Sequence, residues 1–198
     1  MLEQRIQQQF FDSADLKYQA AETLTRPIAD AVAAITGCIT GGGKLLVCGS
    51  GAAAADARHF TTLLVGRFER ERPGLAAIAL SADGALLGSA GDASDAAQVF
   101  AQQVRALGAP GDLLVSIGAN DDAPTLVAAV KAAHDKEMAV VALTGRDGGR
   151  IKPLLAETDV HIAVPHERAA RIHEVHLLAL HCICDAVDLQ LLGEQDDS

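Results

Sequence analysis

The chain has 198 residues, of which 49% are hydrophobic, and it carries a formal net charge of -10 with a pI near 5.0. This length suits one well-buried α/β domain, and the acidic charge argues against a large nucleic-acid-binding surface, because phosphate neutralisation needs clustered Lys and Arg. No apolar run approaches the roughly 20 residues of a membrane span, and residues 1–5 begin a polar amphipathic pattern instead of a signal peptide. We therefore expect a cytoplasmic protein without direct membrane or nucleic-acid contact.

The N-terminal segment predicts two helices. Apolar residues such as Ile6 and Phe10 recur at helical spacing, and Pro27 is a residue typical of a helix start. The three glycines at 41–43 would end this helical hairpin, which we assign to residues 1–42 and to oligomerisation. Because its apolar faces need a further surface to bury them, we expect a homotetramer or a homodimer.

The remainder, residues 43–198, alternates short apolar runs with helical patterns. This alternation predicts an α/β fold, namely a three-layer αβα sandwich with a five-stranded parallel sheet, in a single domain over residues 1–198. A long final helix is expected from about Glu167 to Leu191. The predicted strands are 44–48, 76–80, 112–117, 139–143 and 160–164.

The turn after the first predicted strand is the most informative segment. The strand breaks at Gly49-Ser50-Gly51, and an alanine-rich helix follows at once, so that free backbone N–H groups at the positive end of the helix dipole would face a bound anion. In an open parallel sheet the loops at the carboxyl ends of the strands converge on the ligand. The predicted ligand-binding residues are Gly49, Ser50, Gly51, Ala52, Ala53, Asp92, Ser116, Asn120 and Asp122.

Four separated segments, in this order, resemble a known family. With them the chain resembles the sugar isomerase (SIS) family, within it the phosphoheptose isomerase branch, which includes the DnaA initiator-associating protein DiaA. The resemblance covers nearly the whole chain and implies the SIS fold. The segments are Gly49-x-Gly51 followed by Ala54-x-Asp56-x-x-His59-Phe60, Gly66-Arg67-Phe68-Glu69-x-Glu71-Arg72-Pro73, Ala142-Leu143-Thr144-Gly145-x-Asp147-Gly148-Gly149, and Ala170-Arg171-Ile172-x-Glu174-x-His176.

The resemblance also exposes a departure in the chemistry. Isomerases of this branch move a proton on sedoheptulose 7-phosphate with the help of zinc, and their base is a glutamate one helical turn after the histidine that matches His59. That position here is Leu63, which can neither accept a proton nor bind a metal. We assign no catalytic residue from the motifs themselves; the candidate is His181, which matches a histidine of the family's final helix.

The phosphate loop and the metal ligands differ from the family pattern too. The family's serine-rich loop is replaced at 117–122 by a segment with two carboxylates, which would repel a phosphate dianion. His59, His173 and His181 could form a three-histidine zinc site, because residues eight apart lie near one face of a helix. Alternatively, His173 replaces a glutamine hydrogen bond and no metal binds. We expect no cofactor, with zinc as the alternative.

Three functions follow from this pattern. The leading hypothesis is a noncatalytic regulator of DiaA type that binds the replication initiator DnaA through Leu191 and Leu192 and promotes its assembly at the chromosomal origin. The second is a phosphoheptose isomerase whose base comes from Asp92, His173 or Glu174. The third is a sensor of a sugar phosphate, which needs only the surviving glycine turn and the helix N-terminus.

Overall fold

The computed structural model describes residues 1–82, 96–119 and 122–194. Within them a long first helix is followed by alternating strands and helices. The helices are α1 (Leu2–Thr40), α2 (Ala53–Val65), α3 (Val99–Leu107), α4 (Pro124–Asp135) and α5 (Ala169–Leu192), with a short 3₁₀ helix at Lys152–Leu154; the strands are β1 (Leu45–Gly49), β2 (Ala77–Ala79), β3 (Leu113–Ile117), β4 (Ala139–Gly145) and β5 (Val160–Val164).

The five strands form one parallel sheet in the order β2-β1-β3-β4-β5. Alternate residues of β1 enter different layers: Leu45 and Val47 pack with α1, α2 and α5, whereas Leu46 and Cys48 pack with α3 and α4. Because both faces are covered, every residue of β1 is buried, as expected for a central parallel strand. The predicted three-layer αβα sandwich is confirmed.

The predicted N-terminal hairpin is wrong, because α1 is one helix of 39 residues that continues without interruption through Pro27. A proline inside a helix removes one backbone hydrogen bond and costs about 3 kcal/mol. The stripe that α1 buries is continuous across the proline, from Leu16, Ala20 and Leu24 to Ala31 and Ile35, with Ile28 partly buried between them. This burial of apolar side chains, each of which contributes roughly 1.5–3 kcal/mol when large, offsets the defect.

The last helix, α5, is long and apolar enough by composition to cross a membrane, with a mean hydropathy of 1.5 over its most apolar window. Length and composition are weak signals, because core helices of globular domains satisfy them as well. Here α5 contacts α1 and α2 and buries Arg171, His176 and Asp188 along with its apolar residues. Its apolar face is thus part of the protein core.

The strand order predicts where the ligand crevice lies, namely between the ends of β1 and β3. From β1 the chain passes to β2 on one side and later to β3 on the other, so the order reverses between β1 and β3. Loops at the carboxyl ends of two such strands diverge and leave a crevice between them. The Gly49-Ser50-Gly51 turn after β1 and residues 118–119 after β3 border it.

Candidate functional site

The turn between β1 and α2 depends on two glycines for different reasons. A Cβ at Gly49 would lie 2.1 Å from the carbonyl oxygen of Ala53, so that only glycine lets the strand end against the start of the helix. Gly51 has a φ of 62°, a left-handed conformation that side chains disfavour. The N–H of Ser50 donates to the carbonyl of Ile117, which ties the turn to the end of β3.

This turn exposes backbone donors to the crevice. The first-turn N–H groups of Ala53 and Ala54 donate back to the carbonyls of Ser50 and Gly51. The N–H groups of Gly51 and Ala52 have no backbone acceptor among the described residues. With the dipole of α2 behind them, these donors favour an anionic group.

A cavity of about 510 Å³ opens beside the turn, between the N-termini of α2 and α5. Its volume lies in the range of small-molecule sites, roughly 300–1,000 Å³. The lining is mostly small and apolar, with histidine and glutamate side chains on one wall: Ser50, Ala52, Ala53, Ala119, Ala169, Ala170, His173, Glu174 and His176. A larger cavity of about 750 Å³, beside Asp112 and His134, lies at the amino ends of β3 and β4.

The predicted ligand-binding residues reach different places. Ser50, Ala52 and Ala53 line the 510 Å³ cavity, but Ser116 does not: it lies inside β3, opposite Cys48, and its side chain is hydrogen-bonded to that thiol in the core under α3 and α4. Strand alternation explains this, since Ser116 points to the layer opposite that of its neighbours Val115 and Ile117. Asp122 is exposed just before α4.

Two of the predicted ligand-binding residues, Asp92 and Asn120, lie outside the described residues. Their contribution to the crevice, and that of Asp92 as a base, stay predictions.

His59 on α2 and His181 on α5 contact each other directly. Their Nε2 atoms are 2.9 Å apart, and the rings meet edge to face with centroids separated by 5.2 Å. The ring of Phe68 lies 5.6 Å from that of His181. One imidazole must donate and the other accept in this hydrogen bond, so the pair shares one proton between the two Nε2 atoms.

The second histidine contact joins α5 to a buried carboxylate. His173 Nδ1 lies 3.0 Å from Asp56 Oδ2 on α2, an ion-pair distance, although this oxygen has no well-directed hydrogen bond among the described groups. Asp56 is 4% exposed. Burial raises the pKa of this carboxyl above its ordinary value, and the neighbouring imidazoles of His173, His59 and His181 oppose the increase.

His176 has a structural role in the wall of the cavity. It is fully buried, and its Nε2 donates a 2.9 Å hydrogen bond to the carbonyl of Thr144 at the end of β4. Burial lowers the pKa of His176 to about 4, although the Thr144 hydrogen bond acts in the other direction. The imidazole is therefore neutral at pH 7 and holds β4 against α5.

The three predicted zinc ligands do not fit a metal centre as arranged. His59 and His181 turn their Nε2 atoms toward each other, His173 turns Nδ1 toward Asp56, and no group of three His, Cys, Asp or Glu side chains in the described parts of the chain is placed to hold a metal ion. The family's carboxylate position does not help, because Leu63 is partly buried against the main core. We therefore derive no chemical step through a metal.

Comparison with known proteins identifies the family. The SIS domain family matches residues 9–145. The phosphoheptose isomerase of Methylibium petroleiphilum is 64% identical over 99% of this chain and 98% of its own length. The structure of phosphoheptose isomerase GmhA from Neisseria gonorrhoeae is 42% identical and superposes with a TM-score of 0.88 over 95% of this chain and 99% of that one. A phosphoheptose isomerase from Francisella tularensis is 40% identical, with a TM-score of 0.90, over 95% of this chain and 98% of that one.

The chain belongs to the phosphoheptose isomerase branch of the SIS domain family. The predicted resemblance is confirmed. The prediction of a noncatalytic DnaA-binding regulator is contradicted, because these full-length relatives are named phosphoheptose isomerases, and the interpretation of the chain as a non-enzyme has no support from them.

The two leucines assigned to a DnaA contact have ordinary places at the end of α5. Leu191 is partly buried and packs against the main core, whereas Leu192 is 42% exposed. Their positions follow from the helical turn, because successive residues of a helix point about 100° apart.

No role was predicted for Asp56, although it lies in one of the motifs shared with the family. Asp56 and His59 are three residues apart on α2 and therefore share one face of that helix. This spacing was the available signal that Asp56 accompanies the histidines. The pairing of Asp56 with His173 could not be predicted from the sequence, because the two residues are 117 positions apart and meet only where α2 packs on α5.

Proposed function

We propose that the chain is a phosphosugar isomerase that interconverts a ketose phosphate and an aldose phosphate, with sedoheptulose 7-phosphate as the substrate. Such a reaction moves one proton between two adjacent carbon atoms and needs a group that takes the proton and returns it. The observation that carries the proposal is the cluster of imidazoles and one buried carboxylate, Asp56, His59, His173 and His181, where α2 and α5 meet beside the cavity.

The cavity supplies the binding half of this function. The Gly51 and Ala52 N–H groups at the start of α2 favour an anion, and Ser50 adds a hydroxyl in the same turn. The alanine-rich lining leaves room for a sugar chain of seven carbons. Glu174 is held on the wall by Arg171 and by the hydroxyl of Ser13, at 2.6 Å from each, and this places a fixed acceptor where sugar hydroxyls would lie.

A histidine supplies the proton acceptor in this proposal. Leu63 occupies the position of the family's base, and its side chain packs into the core. An imidazole titrates near neutral pH and can both take and return a proton at that pH. His173 and His181 are the candidates on α5.

The test is turnover of sedoheptulose 7-phosphate, followed by formation of the aldose and by deuterium incorporation from D₂O at the carbon that receives the proton. We expect turnover and solvent exchange with the purified wild-type chain, because an imidazole that holds the proton exchanges it with water. Absence of both, in protein whose circular dichroism shows it to be folded, would overturn the isomerase proposal.

A second function, recognition of a sugar phosphate without turnover, is favoured by one observation. The residue one helical turn after His59 is apolar and packs into the core instead of facing the histidines with a carboxylate. Calorimetric binding of sedoheptulose 7-phosphate without turnover or solvent exchange would establish this function. Activity gained by Leu63→Glu in that background would locate the missing group.

A further inference from the structure

The contact between Asp56 and His173 is the one imidazole–carboxylate pair at the edge of the 510 Å³ cavity among the described residues. Asp56 approaches the imidazole from the core side, where it is almost fully buried, and its Oδ2 has no hydrogen-bond donor in the described chain. A buried carboxylate is costly unless it meets a hydrogen-bond donor or a cation. His173 Nδ1 lies 3.0 Å from this oxygen, at ion-pair distance, and is therefore the group that can supply the charge or the proton.

The other ring nitrogen of His173 is available to a ligand. The side chain is 35% exposed and lines the cavity, and its Nε2 has no hydrogen-bond partner in the part of the chain that the structure describes. The remaining histidines of the region differ in this respect. His59 and His181 use their Nε2 atoms on each other, and His176 donates its Nε2 proton to Thr144.

A carboxylate on Nδ1 determines the state of the imidazole. It holds a proton on Nδ1, leaves the electron pair on Nε2, and stabilises the imidazolium that forms when Nε2 takes a second proton. The same logic applies wherever a base is oriented by a third group. Asp56 is placed to do this for His173, whereas the contact of His181 is another imidazole, which carries no negative charge.

We propose that His173 is the catalytic base of the isomerisation and that Asp56 is its positioning residue, so that the pair replaces the carboxylate lost at Leu63. The proposal rests on the isomerase function proposed above. It makes the reaction of this chain an imidazole-based proton shuttle within a family whose pattern has a glutamate base.

His173 Nε2 takes a proton from C1 of the ketose; the electron pair of that C–H bond forms the C1=C2 double bond, and the π pair of the C2 carbonyl moves to O2, which takes a proton from water. In the second half, the O1–H proton passes to water and its bonding pair forms C1=O1, while the π pair of C1=C2 takes the proton of His173 to form the new C2–H bond. No electrons are gained or lost overall, and His173 ends in its starting state.

The experiment compares His173→Gln with a matched control, His134→Gln. His134 also pairs with a carboxylate, Asp159 at 2.7 Å, but at the amino ends of β3 and β4, away from the crevice. We expect His173→Gln to lower kcat by about 100-fold or more, with KM changed less than about threefold, which is the usual contribution of a general base. His134→Gln should retain wild-type kcat. Wild-type kcat in folded His173→Gln, while the wild-type chain is active, would overturn the base assignment and leave the isomerase function standing.

The positioning role of Asp56 has a readout that does not depend on turnover. In ¹⁵N-histidine-labelled protein, the His173 signals are assigned by their loss in His173→Gln and should show the proton on Nδ1. Asp56→Leu, which removes the acceptor, should shift the proton toward Nε2, and Asp56→Asn, which keeps an oxygen acceptor, should largely retain the wild-type tautomer. An unchanged tautomer in folded Asp56→Leu would overturn the positioning role. An inactive wild-type chain would overturn the base assignment together with the isomerase function, whereas the tautomer measurement would still report on the pair.

Discussion

Arg72 Nε lies 2.5 Å from Asp188 Oδ1, and both side chains are 1% exposed. The same guanidinium donates to the carbonyls of Leu63 and Leu64 at the end of α2, while Asp188 belongs to α5. This buried pair therefore fastens together the two helices that carry Asp56, His59, His173 and His181. The second oxygen of Asp188 is buried and has no hydrogen bond among the described residues, so the charge depends on Arg72.

Replacing Arg72 by methionine should lower the free energy of unfolding by about 3–5 kcal/mol, because it leaves the Asp188 charge buried and unpaired. Urea denaturation followed by circular dichroism measures this change. The matched control is Arg67→Met, which breaks an ion pair with Glu71 that is exposed and should change stability by less than about 1 kcal/mol. Equal effects of the two variants would contradict the importance of the buried pair.

The buried imidazole of His176 should make stability depend on pH. Its pKa is about 4 in the folded chain and near 6.5 when unfolded, so the unfolded chain binds the extra proton first. The stabilisation is present above about pH 6.5 and is lost as the pH falls toward 4, to a total of about 3 kcal/mol. Urea midpoints at pH 7.5 and pH 4.5 test this, and His176→Gln should flatten the difference between them. An equal pH dependence in both proteins would assign the acid sensitivity to other groups.

Turnover should depend on a metal only when residues 63 and 173 are both changed to the residues of the family pattern. Because His59 and His181 contact each other and His173 contacts Asp56, chelation with EDTA should leave wild-type turnover unchanged. The double variant Leu63→Glu/His173→Gln restores the family pattern at both positions, and its turnover should become sensitive to EDTA and recover with zinc. Loss of wild-type activity in EDTA, restored by zinc, would show that the histidines rearrange around a metal.

The exposed N-terminal half of α1 should mediate self-association. Leu2, Ile6, Phe10 and Phe11 are large apolar residues exposed on this part of the helix, and burying them needs another surface. Light scattering after gel filtration should give the mass of a homotetramer or a homodimer. Phe10→Glu should lower that mass, whereas Gln7→Glu, an added charge at an exposed polar position, should not. A monomeric wild-type chain would refute the expected oligomer.

The sheet was predictable from sequence and the site only in part. Each strand is a short apolar run between turn signals, a pattern that depends on neighbouring residues alone, so the predicted strand 160–164 coincides with the observed β5. Pro27 misled the prediction for the same reason, because its local preference for a helix start was overridden by packing along α1. The pairing of His173 with Asp56 depends on how two helices that are distant in sequence pack against each other, and no local sequence pattern predicts that packing.

Asp56, His59, His173 and His181 all lie on two regular helices, α2 and α5. Among the described residues, the Gly49-Ser50-Gly51 turn and residues 118–119 at the ends of β1 and β3 border the crevice. In the proposed isomerase, the groups that move the proton and the turn that binds the phosphate therefore belong to separate parts of the chain. A change in the composition of the turn would alter binding of the anion without moving His173 relative to Asp56.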